Sequence, residues 1–110
     1  MEYTVKDLGG GVAVLHLDGR LNMTSASRLR EAVTSTVANG HPRIAVDLAD
    51  VDFMDSSGLG ALISGLKTAR QAGGDLRIAA PSEQVKLVLQ LTNMERVLLA
   101  HERAETAFSG

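Results

Sequence analysis

Two acidic residues and two serines stand close together in the middle of the chain, at Asp52, Asp55, Ser56 and Ser57, and Gly58 follows them. An apolar segment with helical spacing comes next, so these residues are expected to begin a helix. Serine is a common N-cap, which predicts that Ser56 caps the helix and that Ser57 enters its first turn with a free hydroxyl. The helix macrodipole would favour a phosphate on Ser57. The same pattern also fits a cluster that only caps the helix.

The other chemically capable residues lack the spacing that a metal site or a hydrolase requires. The three histidines, His16, His41 and His101, are far apart in sequence and form no ligand pair on one helical turn. The absence of cysteine excludes disulfides, thiolate zinc sites and iron–sulfur clusters. Neither serine lies in the Gly-x-Ser-x-Gly frame of a nucleophile elbow. We expect no metal, no cofactor and no catalytic residue, and a small hydrolase that uses Ser56 or Ser57 is kept as an alternative.

The composition of the chain is typical of one globular domain that spans residues 1–110, with 45% hydrophobic and 22% charged residues. Aromatic residues make up 3% and the formal net charge is −2, so neither base-stacking platforms nor a basic surface for nucleic acid is expected. No apolar run approaches the ~20 residues that cross a bilayer, and the N-terminus lacks the features of a signal peptide. These observations predict a cytoplasmic protein without direct nucleic-acid or membrane contact, which is a monomer or a weak dimer.

Strand-like and helix-like segments alternate on both sides of the serines. Gly9, Gly10 and Gly11 join two strand-like runs into a predicted antiparallel hairpin. Helices are predicted over residues 26–37, from Ser57 to about residue 72, and after Ser82. Strands are predicted at residues 43–48 and 76–80, with a short last strand at 97–99, a final helical turn or two at 104–108, and a strand-to-helix loop at 48–57. The order predicts an α/β protein with a mixed four- to five-stranded sheet, antiparallel in its N-terminal hairpin and then parallel, and three to four helices.

The stretch that contains the serines closely resembles a known family signature. Residues 51–60 read Val-Asp-Phe-Met-Asp-Ser-Ser-Gly-Leu-Gly, which resembles the signature of bacterial anti-sigma factor antagonists of the STAS-domain family. The resemblance continues in residues 17–22, 44–48, 73–78 and 88–92. It implies the STAS fold and a regulatory binding protein rather than an enzyme. The paired serines resemble those of the phosphorylatable, partner-switching branch of the family.

The resemblance also implies a mechanism. The unmodified protein would bind an anti-sigma factor that is also a serine kinase, and this binding would release the sigma factor. Phosphorylation of the second serine, Ser57, would end the binding, and a serine phosphatase would reverse it. The alternative within the same fold is a partner-switching regulator whose target is a phosphatase, a cyclase or a secretion pathway rather than a sigma factor.

The residues expected to contact the partner surround Ser57 and the turn before the first helix. The family commonly has an acidic residue where this chain has Asn22, which keeps hydrogen-bonding capacity but carries no charge. Arg20 is weighed both as a phosphate partner and as an ordinary exposed strand-end residue. Met23, Met54 and Met94 are predicted to fill the core or its rim. The alternative is that Met54 and Phe53 flank an apolar docking patch. The full predicted partner-binding set is Asn22, Met23, Thr24, Asp52, Phe53, Met54, Asp55, Ser56, Gly58 and Leu59.

Overall fold

A computed structural model describes residues 1–109 and contains one five-stranded sheet with three α-helices. The strands follow one another in the order β1-β2-β3-β4-β5; β1 and β2 are antiparallel, and the other neighbours are parallel. This is the mixed architecture that the sequence predicts. In chain order the elements are β1 Glu2–Gly9, β2 Val12–Leu21, α1 Ala26–Ala38, β3 Arg43–Met54, α2 Ser56–Gln71, β4 Asp75–Ala79, α3 Glu83–Leu91 and β5 Ala100–His101.

The first two strands form the predicted hairpin. Gly9, Gly10 and Gly11 have φ angles of 84°, 64° and 78°, in the left-handed region that side chains with a Cβ rarely adopt. The glycines therefore allow the chain to reverse within a short turn and to return as β2.

One face of the sheet carries the main hydrophobic core, which all three helices cover. The helical spacing predicted for α1 is confirmed, because Ala26, Leu29, Ala32, Val33 and Thr36 are all buried. The helix α2 buries Leu59, Leu62, Leu66 and Ala69 in the same core. Complete burial of one leucine side chain stabilises the fold by about 1.5–3 kcal/mol. The core therefore fixes the position of α2, whose first residues include the serines.

The opposite face of the sheet carries a smaller apolar cluster that the C-terminal segment covers. Ala104 and Ala107 pack on the small residues Val14, Ala45 and Ala79. Arg77 holds this segment in place: its Nη1 donates to the Ala107 carbonyl at 2.7 Å, and its guanidinium lies 4.6 Å from the centroid of the Phe108 ring. A long cationic side chain can in this way cover apolar surface while it bonds a carbonyl.

Two predicted boundaries are wrong. The strand β3 continues to Met54, paired with β2, so no loop exists at residues 48–57 and Asp55 alone separates β3 from α2. Two aspartates in the second half of this strand, Asp50 and Asp52, interrupt the apolar pattern that marks a buried strand, and the register with β2 shifts twice along it. The last strand lies at Ala100–His101 rather than 97–99, because Leu98 is taken into the main core. The helical turn predicted within residues 104–108 is confirmed, as a short 3-10 turn at Ala104–Thr106.

None of the helices in residues 1–109 combines the length and the apolarity needed to span a bilayer.

Candidate functional site

The first turn of α2 is capped by an aspartate and not by a serine. The Asp55 backbone is extended, with φ −109° and ψ −173°, and its Oδ1 accepts a hydrogen bond of 3.0 Å from the Gly58 amide. The prediction that Ser56 caps this helix is wrong by one position, because a carboxylate at Asp55 can satisfy the same free amide and also suits the helix dipole. Ser56 and Ser57 are consequently the first two helical residues.

The hydroxyl of Ser57 is free of intramolecular hydrogen bonds within residues 1–109. The residue is half-buried, its side chain forms no hydrogen bond to any described residue, and its oxygen is not sealed from solvent. The backbone amides at Ser56 and Ser57 precede the first intrahelical bond, in which the Leu59 amide donates to the Asp55 carbonyl at 3.0 Å. A free hydroxyl therefore stands beside amides that can donate to a phosphate.

Gly58 lets the start of α2 approach the end of β2. A Cβ at Gly58 would lie 2.3 Å from the Leu21 carbonyl oxygen, a distance that the backbone cannot accept. The same carbonyl accepts a hydrogen bond of 3.0 Å from the Asp55 amide. Leu21 therefore joins the end of β2 to the serine turn, and the close approach that Gly58 permits is made by this chain's own backbone.

The turn that follows Leu21 is held rigid by side chains. The Asn22 Oδ1 accepts from the Thr24 hydroxyl at 2.6 Å and from the Thr24 amide at 3.1 Å. The Ser25 hydroxyl donates to the Arg20 carbonyl at 2.7 Å and accepts from the Asn22 amide at 2.9 Å. The turn leaves Thr24 exposed and the Met23 side chain 76% exposed.

The structure thus brings the predicted turn, Asn22 to Thr24, to the start of α2, since both adjoin Leu21. Ser56 and Asp52 are exposed on the surface, and Asp55 is half-buried at the cap. Together with half-buried Phe53, these residues are the exposed or half-buried part of the predicted partner-binding set around Ser57.

Three members of the predicted set face inward. Met54 and Leu59 are 1% and 7% exposed and belong to the main core, and Gly58 is buried against Leu21. They can support a docking surface but their side chains cannot form one. Phe53 is half-buried, and the Arg20 guanidinium lies 4.6 Å from its ring centroid. The apolar patch of Phe53 and Met54 is therefore not formed: one side chain is in the core and the other is covered by a cation.

Sequence reasoning missed Gln84, which lies in the first turn of α3. Its Oε1 accepts from the Met54 amide at 2.8 Å, and its Nε2 donates to the Met54 carbonyl at 2.9 Å. These bonds hold the last residue of β3, directly before the cap of α2. A glutamine in the first turn of a helix carries no spacing signal that would identify such a distant partner.

A charged cluster lies on the sheet between β2 and β3. The His16 Nδ1 lies 2.9 Å from Asp47 Oδ2, and its Nε2 lies 2.9 Å from Asp50 Oδ2. The hydrogen bond to Asp47 raises the pKa of His16, and the charges of Asp47 and Asp50 act in the same direction against partial burial. In residues 1–109, no three His, Asp or Glu side chains are grouped so that they could hold a metal ion.

Comparison with known proteins identifies similar families, sequences and structures. A family model described as the STAS domain matches residues 3–107. The anti-sigma-B factor antagonist of Staphylococcus aureus is 29% identical over 87 residues, which cover 79% of this chain and 81% of the relative. A protein of Thermotoga maritima, provisionally named an anti-sigma factor antagonist, is 31% identical over 97 residues, or 87% of this chain and 86% of the relative.

Solved structures agree with the fold. The crystal structure of an anti-sigma factor antagonist from Mycobacterium paratuberculosis superposes with a TM-score of 0.84 at 25% identity. The superposition covers 99% of this chain and 94% of that chain.

Proposed function

The chain belongs to the STAS domain family, and we propose from this premise that it is an anti-sigma factor antagonist that acts by binding an anti-sigma factor. The names of its relatives support this proposal at the level of the family. The unmodified protein binds the anti-sigma factor and releases the sigma factor for transcription. Because transcription is the process regulated, we place this exchange in the cytoplasm.

The docking surface in this proposal consists of exposed and half-buried residues on both sides of Leu21. It includes Met23 and Thr24 in the turn, and Ser56 and Ser57 at the start of α2, with Asp52 at its margin. The backbone contact between Gly58 and Leu21 holds the two halves together, so a partner meets them as one rigid surface.

The proposed switch is phosphorylation of Ser57 by the anti-sigma factor, acting as an ATP-dependent serine kinase. The Ser57 oxygen attacks the γ-phosphorus of ATP, a new O–P bond forms, ADP leaves, and the hydroxyl proton passes to a base of the kinase. A serine phosphatase hydrolyses the ester and restores the hydroxyl. The single observation that carries this step is a solvent-accessible hydroxyl in the first turn of α2 that forms no hydrogen bond to any described residue.

The energetic effect of the modification follows from its charge. A phosphate carries about −1.5 to −2 charges at pH 7, and the first turn of a helix can accept it without refolding. Asp52 and Asp55 already make this surface acidic. Repulsion and desolvation against a docked partner are then expected to cost ~3 kcal/mol, which is about a hundredfold in affinity.

The experiment compares the two adjacent serines. The protein is incubated with the serine-kinase anti-sigma factor of its own genome and Mg-ATP, and its intact mass is measured. The wild type and Ser56→Ala are expected to gain one phosphate, whereas Ser57→Ala gains none. Phosphate on Ser57→Ala, or no phosphate on the wild type with any such kinase, would refute the proposed switch.

A further inference from the structure

The edge of β3 that leads to the serine turn has no neighbouring strand on one side. The ladder between β3 and β4 ends at the pair Asp47 and Ala79, whereas β3 continues to Met54. On its other edge, β3 stays paired with β2 up to Leu21 and Met54. The end of β3 is therefore paired with one neighbouring strand only. Its backbone N–H and C=O groups on the β4 side need another hydrogen-bond partner.

Gln84 supplies this partner with a group that imitates a peptide unit. A carboxamide offers one carbonyl acceptor and N–H donors, and the Gln84 side chain uses both on the N–H and C=O of a single residue, Met54. Glutamine and asparagine can form this reciprocal pair at neutral pH without carrying a charge, whereas an ionised carboxylate has acceptors only.

The helix that carries Gln84 is itself anchored. Its cap is Ser82, whose hydroxyl oxygen accepts from the Val85 amide at 3.2 Å. Val85 and Leu89 are buried at 0% and 2% exposure in the main core. Gln84 is half-buried between this anchored turn and β3, so its carboxamide is held at a fixed position.

We propose that Gln84 is a positioning residue for the Ser57 site, because it fixes Met54 from one side while Leu21 fixes Asp55 from the other. The inference deepens the proposed function and rests on it where phosphoryl transfer is concerned. Met54 and Asp55 lead directly into the first turn of α2, so the two contacts together determine where the Ser57 hydroxyl stands. A kinase then binds a serine turn that is already ordered, so the turn does not have to be ordered before phosphoryl transfer.

The test compares three variants of the full chain. Gln84→Ala removes both hydrogen bonds, and Gln84→Glu keeps the length of the side chain but loses the donor to the Met54 carbonyl. Gln90→Ala is the matched control, because Gln90 is an exposed glutamine on the same helix. Amide hydrogen exchange is measured at Met54, Gly58 and Leu59, and at Val46 as a reference in the middle of β3.

Exchange at Met54, Gly58 and Leu59 is expected to rise about tenfold in Gln84→Ala and to rise in Gln84→Glu, with Val46 and the Gln90→Ala control unchanged. The kcat/KM for phosphorylation of Ser57 is expected to fall by a similar factor in both Gln84 variants. Unchanged exchange at Met54, an equal rise at Val46, or faster exchange with unchanged phosphorylation would overturn the proposal. A wild type that no such kinase phosphorylates would refute the proposed phosphorylation switch, and the exchange data alone would then decide whether Gln84 holds the segment.

Discussion

Serine hydroxyls near the helix starts of this protein take part in different contacts. The buried Ser25 hydroxyl donates to the Arg20 carbonyl and accepts from the Asn22 amide, and Ser82 caps α3. Ser57 makes no such bond in the described part of the chain, because Asp55 caps its helix. The amino acid is the same in each case, and the neighbouring cap decides whether its oxygen is free to react.

A negative charge at position 57 should weaken partner binding while leaving the fold intact. The variant Ser57→Asp is expected to melt near the wild-type temperature, because an acid in the first turn of a helix is electrostatically favourable. Its affinity for the anti-sigma factor is expected to fall by up to about a hundredfold, measured by calorimetric titration. Ser57→Ala serves as the uncharged control and should bind nearly as well as the wild type. Equal affinity of the Asp and Ala variants would contradict a switch based on charge.

At the scale of elements, the sequence predicts the features that depend on a local residue pattern. It does not predict the features that depend on contacts with residues far away in the chain. The buried faces of α1 and α2 follow from helical spacing, and the hairpin follows from three glycines. The extension of β3 to Met54 depends on pairing with β2. The aspartate-rich stretch has no hydrophobic periodicity that would indicate this pairing. The contact between Gln84 and Met54 depends on the tertiary placement of α3. The serines could be identified from the sequence, whereas the contacts of Leu21 and Gln84 that hold them in place could not.

Two glycines of α2 should respond in opposite ways to the same substitution. Gly58→Ala is expected to destabilise the protein by about 1–3 kcal/mol or more, because its Cβ would collide with the Leu21 carbonyl. Gly60→Ala is expected to stabilise it by about 0.5–1 kcal/mol, because a Cβ there meets nothing within 4 Å and alanine favours the helix. Urea denaturation measures both free energies of unfolding. A Gly58→Ala variant as stable as the wild type would contradict the close contact between α2 and β2.

At the scale of the molecule, the two faces of the sheet are covered differently. The helices seal one face with the main core, whereas the other face has the small cluster under the C-terminal segment and the His16 cluster near β1. A cavity of about 200 Å³ beside His16 is lined by Tyr3, Thr4 and Asp18, among others, so the imidazole stands close to water. Its charge state is therefore accessible to the pH of the solution.

The stability contributed by His16 should decrease as the pH rises. The pKa of His16 is raised in the folded state, mainly by the hydrogen bond to Asp47, so the folded protein binds its proton more tightly than the unfolded chain. The contribution is fully present below the unfolded pKa of about 6.5 and is lost as the pH rises through the higher folded value. His16→Gln should therefore lower the free energy of unfolding more at pH 6 than at pH 9, measured by urea denaturation. An NMR titration of His16 with a midpoint below 6.5 would contradict this sign.

The bond network around Asn22 has a consequence for how such proteins stay distinct from one another. Hydrogen bonds of Asn22 and Ser25 set the backbone of the turn, whereas the Met23 side chain projects into solvent and is not needed to hold it. Evolution can therefore vary position 23 without disturbing Ser57. Under the proposed switch, paralogues in one cell would each recognise a separate cognate through the tip of this turn and share one covalent chemistry, which would insulate parallel signalling pathways from cross-talk.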